Sequence, residues 1–228
     1  RFRNQHRPGA EGLFPACYRV CGHCQYLPRG LGTQGGRRLS LDIEGQLISG
    51  TGSPIGTNFI VAQGTNAFSH SQPALAYNRR RNEFLVVWQR LEKSAGLYDI
   101  TSRRVTGNGV PLNPAAVDLI RVTTSNTRPA VAAIPTASAN GQFLAVWELH
   151  QSPPTLDIYA RIVDGDGSPG KQVYIASVNE DARAPVVAGS ESGQRYYVAW
   201  LQDAPAPLAL TGVHGRTVGT DGKVDDPE

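Results

Sequence analysis

Three cysteines fall close together as Cys17-x3-Cys21-x2-Cys24, with His23 before the last of them. Thiolates at this spacing can hold an iron–sulfur cluster or, with a histidine, a tetrahedral zinc ion. His23 adjoins Cys24, and adjacent residues seldom both reach one tetrahedral ion, so His6 is the better fourth ligand. A metal centre on Cys17, Cys21, Cys24 and His6 competes with a plainer reading, one local disulfide and a thiol left over. Cluster-based radical chemistry would need a βα barrel, and no alternation of strands with helices follows.

A second set of residues recurs in register. Asp42, Asp99 and Asp157 each stand ten residues before a glycine, and Gly212 holds the fourth such position. Arg103, Arg161 and Arg216 follow four residues later. A repeated aspartate can accept backbone N–H bonds in a turn or pair with an arginine of a neighbouring repeat. It can also join a ring of carboxylates that holds a cation or a sugar. On that last reading, Asp42, Asp99 and Asp157 are the ligand-binding candidates. Val163-Asp164-Gly165-Asp166-Gly167 lacks the remaining ligands of a calcium loop and reads as a hairpin turn. No cofactor is expected; zinc and calcium are the only candidates.

Motifs of catalysis are missing: no G-x-S-x-G elbow, and no H-E-x-x-H, G-x-G-x-x-G or phosphate-binding loop. His70, His150 and His214 share no common repeat position. A glycosidase needs two carboxylates roughly 5 to 10 Å apart, a pairing that linear sequence does not identify.

The elements that position these residues are written as a repeat. FLVVWQ at 84–89 returns as FLAVWE at 143–148 and YYVAWL at 196–201. Pro73, Pro129 and Pro185 are evenly spaced by 56 residues, and each opens a short apolar run. Polar turns (NRRRNE, PTASANGQ, SESGQR) lead to the tryptophan segments. Then come YDITSRRVTGNG, LDIYARIVDGDG and TGVHGRTVGTDG, with an earlier copy, LDIEGQLISGTG, at 41–52. The Asx-Gly pairs are turn signals. A last element follows each turn: NFIVAQG at 58–64, VDLIRVTT at 117–124 and QVYIASV at 172–178. These short segments, rich in Val, Ile, Phe, Tyr and Thr, are strands. One period is therefore a four-stranded antiparallel meander, and tandem copies must cover one another's faces. Radial packing into a β-propeller does so, and fits better than sandwiches. Apolar residues on successive positions around each tryptophan mark strands buried on both faces. Trp88, Trp147 and Trp200 are expected to fill the inter-sheet space, each indole N–H meeting a buried acceptor.

This pattern resembles the propeller-type repeats of large secreted or surface proteins of bacteria, over roughly residues 41–224. The resemblance implies an extracellular or cell-surface location and a structural rather than catalytic motif. Gly212 in place of aspartate and the YYVAWL variant depart from it.

The expected architecture is all-β: about four repeats of ~56 residues in a β-propeller-like array of four-stranded antiparallel blades. Blades are expected near 58–106, 117–164 and 172–219, with a partial one before residue 52, all within a domain of residues 41–228. Residues 1–40, rich in Arg, Gly, Pro and Cys, form an irregular segment, either a non-native extension or a worn first blade. Pro15 aligns approximately with Pro73 on the second reading. The chain has no methionine and reads as a processed chain or a fragment. Residues 1–14 would have to supply a strand for a four-bladed ring to close; the balance favours a part of a larger propeller.

A net charge of +3 with pI near 8.9 is mild, and Arg79-Arg80-Arg81 reads as a solvated hairpin tip rather than a nucleic-acid footprint. No run of about 18 apolar residues predicts a membrane span, and no charged segment followed by an apolar one opens the sequence. The expected function is a non-enzymatic binding or scaffold module whose loops meet a carbohydrate or protein ligand. The alternative is a glycoside-hydrolase-type enzyme on the same fold.

Overall fold

The computed structural model describes residues 17–21, 40–112, 114–151, 155–176, 181–203 and 211–225. All regular structure among them is β, in four antiparallel sheets whose strands pair in chain order. Sheet 1 holds β1 (Cys17–Cys21), β2 (Ile43–Ile48) and β3 (Pro54–Ala62). Sheet 2 holds β4 (Phe68–Asn78), β5 (Glu83–Glu92), β6 (Leu97–Thr106) and β7 (Val117–Ile120). Sheet 3 holds β8 (Asn126–Ile134), β9 (Gln142–His150), β10 (Leu156–Asp164) and β11 (Pro169–Ala176). Sheet 4 holds β12 (Ala182–Ser190), β13 (Arg195–Asp203), β14 (Thr211–Gly219) and β15 (Val224–Asp225).

Sheets 2 to 4 keep the expected strand order, but their bounds are shifted by one strand from the expected blades. The expected blades group residues 58–64, 117–124 and 172–178 with the repeat that follows. Their strands pair instead with the one before: Ile60 with Glu44, Asp118 with Thr101, Tyr174 with Tyr159. The Asx-Gly turn is the reason. In β10–β11 the Asp164 N–H reaches Ser168 O and Gly167 adopts φ +88°, a tight link that folds the chain straight back. Asp164 Oδ1 accepts from Gly165 N and Asp166 Oδ1 from Ser168 N, both at 2.8 Å. The two carboxylates thus serve the turn's own backbone.

Cys17–Cys21 pairs with β2, the position the tryptophan strands hold in the other sheets. The alignment of this segment with the proline strand is therefore displaced by one strand. His6 and Cys24 lie outside the described residues.

Strands β5 and β9 are buried on both faces, as their unbroken apolar runs require. Trp88 and Val86 pack against Ile43 and Val61 of sheet 1. Leu85 and Val87, on the other face, meet Phe143, Ala145 and Trp147 of sheet 3. Leu144 and Val146 meet Tyr196, Val198 and Trp200 of sheet 4. Sheets 2 to 4 thus each have a leading face bearing a tryptophan, and the trailing faces of sheets 1 to 3 receive the next sheet. Trp88 donates to His70 Nδ1 at 3.0 Å and Trp200 to Gln202 Oε1 at 2.8 Å. Trp147 departs from expectation: its buried Nε1 has no hydrogen-bond partner, and neither has the buried Oδ1 of Asn126. Asn126 stands at the repeat position of His70.

The sheets pivot about their first strands. β4 packs beside β8, and β8 beside β12. The turns joining first to second strands converge. Arg79 of sheet 2 reaches past sheet 3 to Glu191 of sheet 4 at 2.6 Å, and Arg80 Nε donates to Ala139 O. Arg79-Arg80-Arg81 is thus a hairpin tip, as predicted, facing its neighbours. Among the described residues the succession of sheets does not close into a ring.

The repeated arginines clamp this stack. Arg103 Nη1 donates to Val61 O and Arg216 Nη1 to Ile175 O, each at 2.7 Å, and Arg161 Nη1 donates to Leu119 O. Every one crosses from the third strand of its sheet to the last strand of the preceding sheet. Arg103 and Arg161 also hold their own sheet through Nε, to Leu112 O and Gly170 O at 3.0 Å. Arg161→Met keeps the apolar stem and removes these bonds. It should lower stability by about 2 kcal/mol, the scale of hydrogen bonds from a charged donor, as read by urea unfolding.

Candidate functional site

Proline within a strand removes a ladder donor, so each proline strand must interrupt its pairing. It does so the same way three times. Register slips between Ser71 and Ala74, Thr127 and Ala130, and Arg183 and Val186. The residue just before each proline adopts a left-handed backbone: Gln72 at φ 50°, Arg128 at 51°, Ala184 at 53°. None is glycine, and the position before proline is restricted in its own right. Such strain costs on the order of 1–3 kcal/mol per residue and persists only where the surroundings impose it.

The surroundings are polar residues in otherwise apolar strands. Gln89 and Glu148 each follow a tryptophan, and both are buried. Gln89 donates from Nε2 to Ser71 Oγ at 3.0 Å and accepts at Oε1 from the Arg128 N–H at 3.3 Å. Glu148 repeats this one sheet on. It accepts from Thr127 Oγ1 at 3.1 Å and from the Ala184 N–H at 2.6 Å. The side chain on one sheet thereby fixes the bulge of the next. Leu201 holds this position in sheet 4 and has nothing to accept with.

Around Glu148 a small polar shelf forms. Arg128 Nη1 lies 3.1 Å from Glu148 Oε1 while its side chain stays 54% exposed. Thr127 Oγ1 lies 2.9 Å from His150 Nε2. Exposed donors are thus seated on a buried carboxylate. Beside it, sheet 2 carries Arg90, bonded to Asp99 at 3.1 Å and Asp118 at 2.8 Å and lying over the Phe68 ring. In sheet 4, Arg183 bonds Asp203 at 2.8 Å.

The three aspartates singled out from sequence lie at this end of the sheets, each engaged locally. Asp42 Oδ1 accepts from the Gly64 N–H at 2.6 Å, Asp99 takes Arg90, and Asp157 accepts from Gln151 Nε2. Asp42 is the backbone-capping case. The partner of Asp99 is an arginine of its own sheet, not of a neighbour. Burial pushes the Asp99 carboxyl above its ordinary range, against the lowering pull of Arg90. Burial raises Asp157 as well. The structure thus sets these carboxylates among internal partners, while Glu148 and the bulges, which sequence reasoning passed over, organise the exposed shelf. Their signal was present: a polar residue ending two apolar hexamers at one repeat position.

Among the described residues no three His, Cys, Asp or Glu side chains group as metal ligands. The cavity between sheets 2 and 3, lined by Ser102, Arg103, Arg104 and Asp166, is about 140 Å³, and lies away from the shelf.

His70 sets a pH dependence. With Trp88 donating to Nδ1, its Nε2 faces Gln63 O at 3.2 Å, the neutral ring with its proton on Nε2. Burial lowers its pKa below the ordinary 6.5. The unfolded chain therefore takes up the proton first. This contribution is complete above pH 6.5 and is lost as pH falls from there toward the folded value. Urea midpoints should drop between pH 7.5 and 5, and His70→Asn, copying Asn126, should flatten that slope.

No protein-family model and no curated protein matches this chain. Solved structures do. An N-acetylgalactosamine deacetylase from F. plautii, in complex with blood group B trisaccharide, aligns with TM-score 0.51 at 8% identity, over 80% of this chain and 64% of its own. An exo-beta-1,3-galactanase from Phanerochaete chrysosporium, with galactose, aligns at 0.51 and 7%, over 81% and 42%. The Hadza microbial sialidase Hz136 aligns at 0.51 and 9%, over 78% and 38%. This chain thus spans less than two thirds of each. At these identities the likeness concerns the fold, a propeller-like array of antiparallel sheets.

Proposed function

We propose that this chain is a non-enzymatic carbohydrate-binding module of a secreted or surface protein, its ligand seated at the bulged end of sheets 2 to 4. One observation carries the reading: buried Glu148 holds the exposed Arg128 guanidinium and the half-buried Thr127 hydroxyl over a strained bulge, and Thr127 in turn meets His150. Sugar hydroxyls are bound by donors and acceptors fixed beforehand, which spares the entropy of ordering them. The carboxylates at this end support binding over hydrolysis. A glycosidase needs one carboxyl free to give a proton and another free to meet the sugar or a water. Here Asp99, Glu148 and Asp157 are buried and engaged with internal donors. The fold neighbours act on or bind sugars, which favours carbohydrate over protein as the ligand.

The test is a glycan array followed by calorimetry and product analysis on the best oligosaccharide. Binding should weaken at least tenfold, ~1.4 kcal/mol, in Arg128→Ala, with the sugar recovered intact. Cleaved product would instead establish the hydrolase alternative.

A further inference from the structure

The interface between sheets 2 and 3 departs from its neighbours at one corner. In sheets 2, 3 and 4 the glycine of the Asx-Gly turn rests on the preceding sheet. A Cβ at Gly109 would come within 2.8 Å of Phe59 Cε1 in sheet 1, and one at Gly222 within 3.1 Å of Ile162 Cδ1 in sheet 3. At Gly167 the neighbour is instead Arg104 of sheet 2, its Nε at 3.1 Å. Arg104 stands where sheets 1 and 3 carry Leu47 and Ile162, and Ser102 where they carry Gly45 and Ala160. A guanidinium and a hydroxyl thus border the 140 Å³ cavity at the corner that apolar side chains fill elsewhere. Its walls come from two sheets that each have a neighbour on both sides, so the cavity does not involve the outer faces of the stack.

The polar groups at this corner leave donors in excess. Glu83 takes Arg104 Nη1 at 2.7 Å and Arg81 Nε at 3.2 Å. The Ser168 N–H and hydroxyl hold the Asp166 carboxyl below its ordinary range, with Arg104 and Arg81 adding to the pull. Both acids are therefore engaged, whereas Arg104 offers a planar fork of donors and bonds Glu83 through Nη1. The guanidiniums of Arg81, Arg103 and Arg104 also outnumber these carboxylates. A ligand that satisfies the corner must bring a charged acceptor, which an arginine fork binds well. Leu85, Val117 and Pro169 form the apolar part of the lining and suit a short hydrocarbon chain.

We infer that this cavity binds a small organic carboxylate, its charged end on Arg104 and its hydrocarbon part against Leu85, Val117 and Pro169. The volume is below the roughly 300 Å³ at which drug-sized pockets begin, which rules out an oligosaccharide and makes the site separate from the shelf around Glu148. A ligand of about six heavy atoms with one charged contact should bind with a dissociation constant on the order of millimolar.

The test is a titration of the intact chain with butyrate, read by amide chemical shifts, with butyramide and inorganic phosphate as comparison probes. Butyrate should shift Ser102, Gly167 and Ser168 saturably. Butyramide, which lacks the charge, and phosphate, which lacks the hydrocarbon, should each bind at least about tenfold more weakly. Arg104→Ile copies Ile162 of sheet 3 and removes the guanidinium. Val117→Phe copies Phe59 of sheet 1 and fills the cavity while keeping Arg104. Each should weaken butyrate binding at least about tenfold, and circular dichroism checks that the fold is kept. Should neither variant fold, the three probes on the unaltered chain decide. Shifts that never saturate overturn the inference, as does unchanged binding in a folded variant. Butyramide binding as tightly as butyrate overturns it too, and equal binding of phosphate would leave a bare anion contact in its place.

Discussion

Trp147→Ala should cost about 3–5 kcal/mol, the scale of emptying a buried aromatic site, and so most of the stability of an ordinary domain. The indole fills the space between sheets 2 and 3 among Leu85, Val87, Leu119 and Phe143, and neither sheet can close on the gap alone. The milder change to phenylalanine separates packing from hydrogen bonding. Trp147 Nε1 has no partner, so Trp147→Phe removes an unsatisfied buried donor along with some volume. Trp88→Phe removes comparable volume but strands His70 Nδ1, whose partner is the Trp88 indole. The second should therefore be the more destabilising by about 1–3 kcal/mol, the cost of an orphaned buried acceptor. Guanidinium melts of the two variants, followed by far-ultraviolet dichroism, read the difference; equal losses would remove the assigned role of the His70 bond.

Glu148→Leu is the second large effect, expected at about 2–3 kcal/mol. It installs the residue that sheet 4 carries at this position and leaves the Ala184 N–H and Thr127 hydroxyl without their acceptor. Arg128 is half exposed and can turn to water, so the lost ion pair adds little. Glu148→Gln should be far milder, about 1 kcal/mol or less, because Gln89 does the same task with an amide in sheet 2. Hydrogen exchange locates the effect: the Ala184 amide should lose protection in the leucine variant and keep it in the glutamine one. Equal exchange in both would show that the bulge holds itself.

Much of this fold can be read directly from the residues. The 56-residue spacing of Pro73, Pro129 and Pro185, the unbroken apolar hexamers and the Asx-Gly turns prescribe four-stranded meanders, because each is a local signal. Where one sheet ends is not local. Residues 58–64 can pair with the strand before or after, and only the tight turn preceding them decides. The arginines were visible as a repeat, yet their partners are backbone carbonyls one sheet away, and carbonyls carry no residue identity for a sequence to display. The left-handed residues before the prolines were hidden for a related reason. Gln72, Arg128 and Ala184 share no side-chain chemistry; what they share is a bulge at the missing proline N–H, held at Arg128 by Gln89 and at Ala184 by Glu148 across the interface. The aspartates drew attention by recurring, but recurrence in a repeat marks what every sheet needs in order to stack. A binding surface belongs where the repeats differ, as they do at Arg128, Thr127 and His150.

The most direct test of the central claim is a chemical-shift map of the amides while the best-binding oligosaccharide from the array is titrated in. The largest shifts should cluster at Thr127, Arg128, His150 and Ala184 and vanish in Arg128→Ala. Shifts centred elsewhere, on the exposed face of sheet 4 or at the cavity beside Arg103 and Asp166, would contradict it.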